Sequence, residues 1–145
     1  MRKNQNAFTL LEIMLVVSII AVLLSVAIYK LKGNLETGKM VAVQSDVQSI
    51  RTQLKVYESF NGFVPTTEQG LQALVTRPSS DPQPTRWTQL FDSIPKDPWQ
   101  NPYIYVSPGR KHPDSFDLYS AGPDRKPDTP DDDWGGYRQA LDNLS

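Results

Sequence analysis

Residues 8–29, FTLLEIMLVVSIIAVLLSVAIY, form an apolar run of 22 positions broken by one charge, Glu12. A helix of that length rises about 33 Å, enough to cross a bilayer core of about 30 Å. Few soluble cores take up so long an uninterrupted apolar segment, so the run is expected in a membrane. A secretory signal peptide fits poorly. Its apolar region is shorter and ends in a small-residue cleavage site, whereas this run is followed by Lys30-Leu31-Lys32. Glu12 argues against a passive anchor, because a carboxylate inside a membrane segment costs a few kcal/mol and calls for a partner.

The rest of the chain is of another kind. All 12 prolines fall from Pro65 onward. Between the two regions, Val43, Val47, Ile50, Leu54 and Tyr57 recur at alternating spacings of four and three, the apolar stripe of an amphipathic helix. Gln44, Asp46, Gln48, Arg51 and Lys55 are expected on its polar side. Gly33 and Gly38 lower helix propensity by roughly 1 kcal/mol each and suggest a bend or local melting. Gly62 is suited to a left-handed C-cap.

Beyond it, Thr66 and Gln69 have capping-box spacing before Leu71, Leu74 and Val75, which predicts a short helix. Residues 77–86 hold three prolines and no apolar side chain, a surface loop. Tyr103–Val106 reads as a strand, and Phe116–Ser120 alternates as a second, with a short third to follow. So few strands need a second layer, which the helix stripe supplies. The fold class is α+β, a long amino-terminal helix packed on a small antiparallel sheet with a carboxy-terminal loop.

Composition excludes several functions. With no cysteine and one histidine, His112, thiol catalysis, disulfides, Cys-zinc sites and His-based metal cages are out. A net charge of −1 gives no case for nucleic acid. His112 is expected exposed in a charged turn, so no nucleophile–base pair is in view and an enzyme is not expected. An adhesin would need exposed aromatics. Of Trp87, Trp99 and Trp134, the latter two are expected to pack under the loops instead.

The segment 114–133 carries seven aspartates. Either it is a solvated acidic loop, or it supplies the 6–8 oxygen ligands calcium takes. An EF-hand does not fit, because Thr129 stands at the sixth position after Asp124 and no Glu at the twelfth.

Two sets of residues carry a family resemblance. Ala7-Phe8-Thr9-Leu10-Leu11-Glu12, after a short basic leader, resembles the processing motif of type IV pilins and pseudopilins. PTTEQGLQALV, IPKDPWQNPYIYVSPG and FDLYSAGPD resemble the major pseudopilins of the type II secretion system, the protein G family. The resemblance implies a leader at 1–7, removed by a prepilin peptidase between Ala7 and Phe8, with methylation of the Phe8 amine. It also implies a membrane and filament-core helix at 8–29 and a periplasmic head at 30–145. Glu12 becomes the assembly residue that pairs with a neighbouring subunit's amino terminus. The family has Gly before the cut. Ala7 is the next smallest residue, so cleavage is expected to survive at a reduced rate.

The implied role is the major structural subunit of the pseudopilus at the bacterial inner membrane, driving export of folded proteins. Implied partners are further copies of the chain, minor pseudopilins, the inner-membrane assembly platform with its secretion ATPase, and the peptidase/methyltransferase. The alternative is a major or minor pilin of a type IV pilus-like system. The resemblance also implies one structural calcium ion, held by Asp124, Asp132 and Asp133 with backbone oxygen near Ala121 and Ser120. Because Arg125-Lys126 replaces a Gly-containing stretch, Asp128 or Asp131 is a candidate substitute ligand. Gln100 stands where the family commonly has Gly, a change expected to alter turn geometry only.

Overall fold

The computed structural model describes residues 9–136, the side chains of 32–34 excepted. Helix α1 runs from Leu10 to Asn61, followed by a four-residue 3-10 helix, Leu71–Leu74, and strands β1 (Ile104–Val106) and β2 (Asp117–Tyr119). The chain divides into two compact units between Gly38 and Lys39.

In the first unit α1 is apolar on every side from Ile13 to Ile28. Leu10, Met14, Val17, Leu24 and Ile28 are all exposed, and the most apolar 18-residue window has a mean hydropathy of 2.8 with none of it buried inside the protein. The polar hydroxyls here turn back on the helix, Ser18 Oγ donating to the Met14 carbonyl and Ser25 Oγ to that of Ala21. Such internal satisfaction is what hydrocarbon demands. The helix is unbroken through Gly33 and Gly38, so the melting expected there does not occur. Two isolated glycines cost only about 2 kcal/mol together, which a helix of 52 residues absorbs.

In the second unit the predicted stripe is the core. Val43, Val47, Ile50, Leu54 and Tyr57 are essentially inaccessible and pack with Leu71, Leu74, Tyr103, Tyr105, Phe116 and Leu118. The helix stops as its sequence suggests. Gly62 takes a φ of +82°, its N–H reaches the Glu58 carbonyl, and Asn61 Nδ2 donates to the Tyr57 carbonyl. Asp46, placed by its spacing on the polar side, is instead half-buried and accepts the Tyr103 hydroxyl.

The Thr66–Gln69 capping box closes reciprocally, each backbone N–H bonded to the other's side chain. It caps a turn rather than an α-helix, because Gly70 at φ +59° breaks the path and only the 3-10 helix Leu71–Leu74 follows. Leu71 and Leu74 are buried there, whereas Val75 is half-buried. Gln69 itself is buried, and its amide donates to the Ser80 and Pro82 carbonyls, fixing the proline-rich loop.

β1 and β2 pair antiparallel, Tyr105 opposite Leu118. The third strand reduces to a single bridge between Ser120 and Asp133. The alternation expected of Phe116–Ser120 is absent, since all five residues are buried. One face meets the core. On the other, Trp134 stacks on Tyr119 at 4.3 Å between ring centroids and Asp117 caps the preceding turn.

Candidate functional site: the helix start and the acidic loop

At the start of α1, Thr9 Oγ1 accepts the Glu12 N–H at 3.3 Å, and Glu12 lies in the first turn with its side chain exposed. Thr9-x-x-Glu12 has capping-box spacing, a signal the sequence reading missed. A carboxylate in this position also faces the positive end of the helix dipole. Glu12 therefore has a local reason to be tolerated at the edge of the apolar segment while staying open to a partner. Ala7 and Phe8 lie outside the described residues.

The acidic loop leaves β2 through Ser120, Ala121 and Gly122, all buried, and returns through Asp133 and Trp134. Its two ends are joined by paired backbone bonds between Ser120 and Asp133, at 2.9 and 3.0 Å. Inside it, carboxylates hold the backbone. Asp131 Oδ2 accepts the Asp124 N–H, Asp124 Oδ1 that of Lys126, Asp132 Oδ2 that of Asp128 and Asp133 Oδ1 that of Gly135. Arg125 takes a left-handed φ of +62°, accommodating the conformation that a glycine would more easily supply. Gln100 does the same at +68°. Asp128 is turned toward solvent and pairs with Arg110 at 3.2 Å; both are well exposed, so the pair contributes little.

Two observations test the loop for a hard cation. Asp132 Oδ1 is buried with no hydrogen-bond partner. Burial pushes the Asp132 pKa above the ordinary carboxylate value, against the Asp128 and Thr129 N–H groups and the Lys111 charge. The second is the close approach at Gly122, where a Cβ would stand 2.5 Å from the Asp131 carbonyl oxygen and 2.8 Å from Asp131 Oδ2. Oxygens thus crowd a position that only glycine can occupy. The donor chemistry fits calcium. The carboxylates are not gathered, however: among the described residues no three His, Cys, Asp or Glu groups meet at one point. The Asp131 pKa is lowered chiefly by the Thr129 hydroxyl, which donates to Oδ1 at 2.6 Å.

His112 is not exposed as expected. Its Nδ1 lies 2.7 Å from Asp117 Oδ1, and its side chain is three-quarters covered. Lys111 places its ammonium 4.3 Å above the Trp134 ring. Trp134 is buried as expected, and Trp99 is half-buried, packed against the core and facing Lys39. Trp87 donates its indole N–H to the Ala73 carbonyl, so it is tied into the head.

Asp97 is a functional candidate that the sequence reading does not single out. It is wholly buried and accepts four hydrogen bonds: Trp99 N–H and Asn101 N–H on Oδ1, and Asn101 Nδ2 and the Ser120 hydroxyl on Oδ2. The signal available was Asp-Pro-x-x-Asn, since an aspartate bonding two residues on is an Asx turn.

Comparison with known proteins agrees with this geometry. Residues 30–135 match the family model for the type II secretion system protein G, and residues 2–28 match that for the prokaryotic N-terminal methylation motif. The type II secretion system core protein G of Pseudomonas aeruginosa is 40% identical over 134 residues, covering 91% of this chain and 93% of that protein. The protein of the same description from Dickeya chrysanthemi is 43% identical over 139 residues, 94% of this chain and 89% of that one. Among solved structures, the major pseudopilin from the type 2 secretion system of enterohaemorrhagic Escherichia coli superposes with a TM-score of 0.64 at 37% identity, covering 70% of this chain and 85% of that one. The chain belongs to the type II secretion system protein G family.

Proposed function

We propose that this subunit of the type II secretion pseudopilus is cut between Ala7 and Phe8, methylated at Phe8 and polymerised from the inner membrane with its head in the periplasm. The observation that carries this is the first unit of α1: a membrane-length apolar helix with no buried face, opening on an exposed Glu12. Such a surface is stable in lipid or against copies of itself. Moving the segment from bilayer into a filament exchanges one apolar surrounding for another, so the polar groups at its start decide register. A Phe8 amine is largely protonated at neutral pH and remains protonatable after methylation. Opposite Glu12 of a neighbour it forms a pair whose misplacement leaves an uncompensated charge in low dielectric.

The role is structural. The partners this implies are further copies, minor pseudopilins, the assembly platform with its ATPase, and the prepilin peptidase. The acidic loop would hold calcium as a structural ion. Asp132, Asp131 and Asp124 would supply carboxylate oxygen, with Asp133 and the Ala121–Ser120 backbone as further donors and Asp128 as a candidate additional ligand. The orphaned Asp132 Oδ1 supports this reading. When bound, the ion supplies positive charge and no chemistry.

The test is intact-mass analysis of filaments formed when the chain is expressed with its assembly machinery. Subunits beginning at methylated Phe8 support the reading. Filaments whose subunits retain Met1 overturn it.

A further inference from the structure

Asp97 lies outside the acidic loop yet meets it at its base. Its Oδ2 accepts the Ser120 hydroxyl at 2.6 Å, and the same hydroxyl accepts the Gly122 N–H at 3.1 Å. Asn101 spans the remaining gap, its Nδ2 within 3.3 Å of both Asp97 Oδ2 and the Gly122 carbonyl. Asp97 Oδ1 is occupied by the two N–H groups of its own turn, at 3.0 and 2.7 Å. With no exposure and every bond supplied from within the protein, this carboxylate has one available function, which is to fix geometry.

The geometry it fixes is that of Ser120 through Gly122. That segment forms one wall of the loop, and the Asp131 oxygens crowd its glycine. The paired backbone bonds between Ser120 and Asp133 hold one end of this wall, and Asp97 with Asn101 holds the Ser120 side chain and the Gly122 carbonyl. The opposite side is kept by the exposed backbone N–H groups of Asp124, Lys126 and Asp128 on the carboxylates of Asp131, Asp124 and Asp132, which have not converged. A cation that has to gather its ligands binds more tightly when one side is already ordered, because ordering both sides costs more conformational entropy than ordering one.

We infer that Asp97, with Asn101, is a positioning residue for cation capture: it presets the Ser120–Gly122 wall on which the acidic loop closes. The inference rests on the calcium reading of that loop. It assigns to the Asp97-Pro98-Trp99-Gln100-Asn101 turn a role in ion affinity beyond packing.

The test is calorimetric titration of the full chain in detergent with calcium chloride, alongside thermal melts without calcium. Asp97→Asn keeps the shape and removes the charge. Asn101→Ala cuts the link to Gly122 while leaving the backbone bond to Asp97. Trp87→Phe, which loses its bond to Ala73 and makes none to the loop's ends, controls for general weakening of the head. Asp97→Asn and Asn101→Ala are expected to raise the calcium dissociation constant at least tenfold. Trp87→Phe should melt earlier but bind as wild type does. A dissociation constant within twofold of wild type in Asp97→Asn overturns the inference; if that variant does not fold, the same result in Asn101→Ala does so. Wild-type protein that takes up no calcium overturns the calcium reading itself, and the inference with it.

Discussion

The Tyr103 hydroxyl donates to Asp46 Oδ2 at 2.8 Å, joining α1 to the residue before β1 across 57 positions of sequence. The tyrosine is buried and the carboxylate half-covered, so the bond is charge-assisted and partly shielded from water. Burial first, then this bond and the negative charges around it, raise the Tyr103 pKa far above its ordinary value. Tyr103→Phe should destabilise the head by about 1–3 kcal/mol, read as a lower melting temperature at pH 7. The contribution is fully present below pH ~10, the unfolded tyrosine value, and is lost as pH rises from there toward the higher folded one. The variant's stability should therefore fall less steeply than wild type in alkaline denaturation. Parallel curves would show that the bond carries no stability.

Asp117 gives the acid side. Burial pushes its pKa up, but the Lys111 N–H, the His112 ring and the Arg110 N–H outweigh it, and the net shift is downward. A carboxylate lowered in the folded state adds stability above its unfolded value, near pH 3.9, and loses it as pH falls through the folded value. Asp117→Asn should cost stability at neutral pH, and the difference from wild type should shrink below about pH 4. Acid titration followed by tryptophan fluorescence checks this, since Trp134 stacks beside the group on Tyr119. A difference independent of pH would assign Asp117 a role in packing only.

Glu12→Ala should separate folding from assembly. The substitution removes a first-turn carboxylate from the exposed helix start, worth about 0.3–1 kcal/mol to the helix. The head does not depend on it, so melting of the second unit should be unchanged. Filaments should be lost or sharply reduced in electron micrographs of cells expressing the assembly machinery. Wild-type filament yield from this variant would remove Glu12 from the assembly mechanism.

What was legible in the sequence followed from periodicity. The stripe Val43–Tyr57, the Gly62 stop and the two strand sites all appear where spacing and composition put them, because each reflects a local preference repeated several times. Single-residue readings failed where a distant partner decides the outcome. Spacing puts Asp46 toward solvent, but Tyr103 meets it; His112 reads as exposed, but Asp117 meets it; Asp97 carries no mark in the sequence, yet Ser120 meets it. Helix spacing gives the face a side chain points from; it does not give what the rest of the chain brings to that face. The acidic loop is a middle case. Its composition left a solvated loop and a cation site both open, and which carboxylate lacks a partner depends on backbone turns at Arg125 and Asp128 that carry no sequence signal.

Asp132 is where calcium and folding should be most tightly linked. Without an ion its Oδ1 is buried and unpartnered, and burial makes its charged form costly. A calcium ion bound here would replace that cost with coordination, next to the strand end whose Trp134 stacks on Tyr119. Because the ion favours the folded state, calcium at 100 times its dissociation constant should add about 2.7 kcal/mol. Asp132→Asn separates the two effects. It removes the buried charge, so in chelator its melting temperature should equal or exceed that of wild type. It also removes a ligand, so added calcium should raise that temperature little or not at all. Full-length protein in detergent, melted with calcium chloride and with chelator, gives both numbers for each form. A calcium-induced rise as large in Asp132→Asn as in wild type would place the ion elsewhere, and identical wild-type curves with and without calcium would leave the aspartates as a solvated loop.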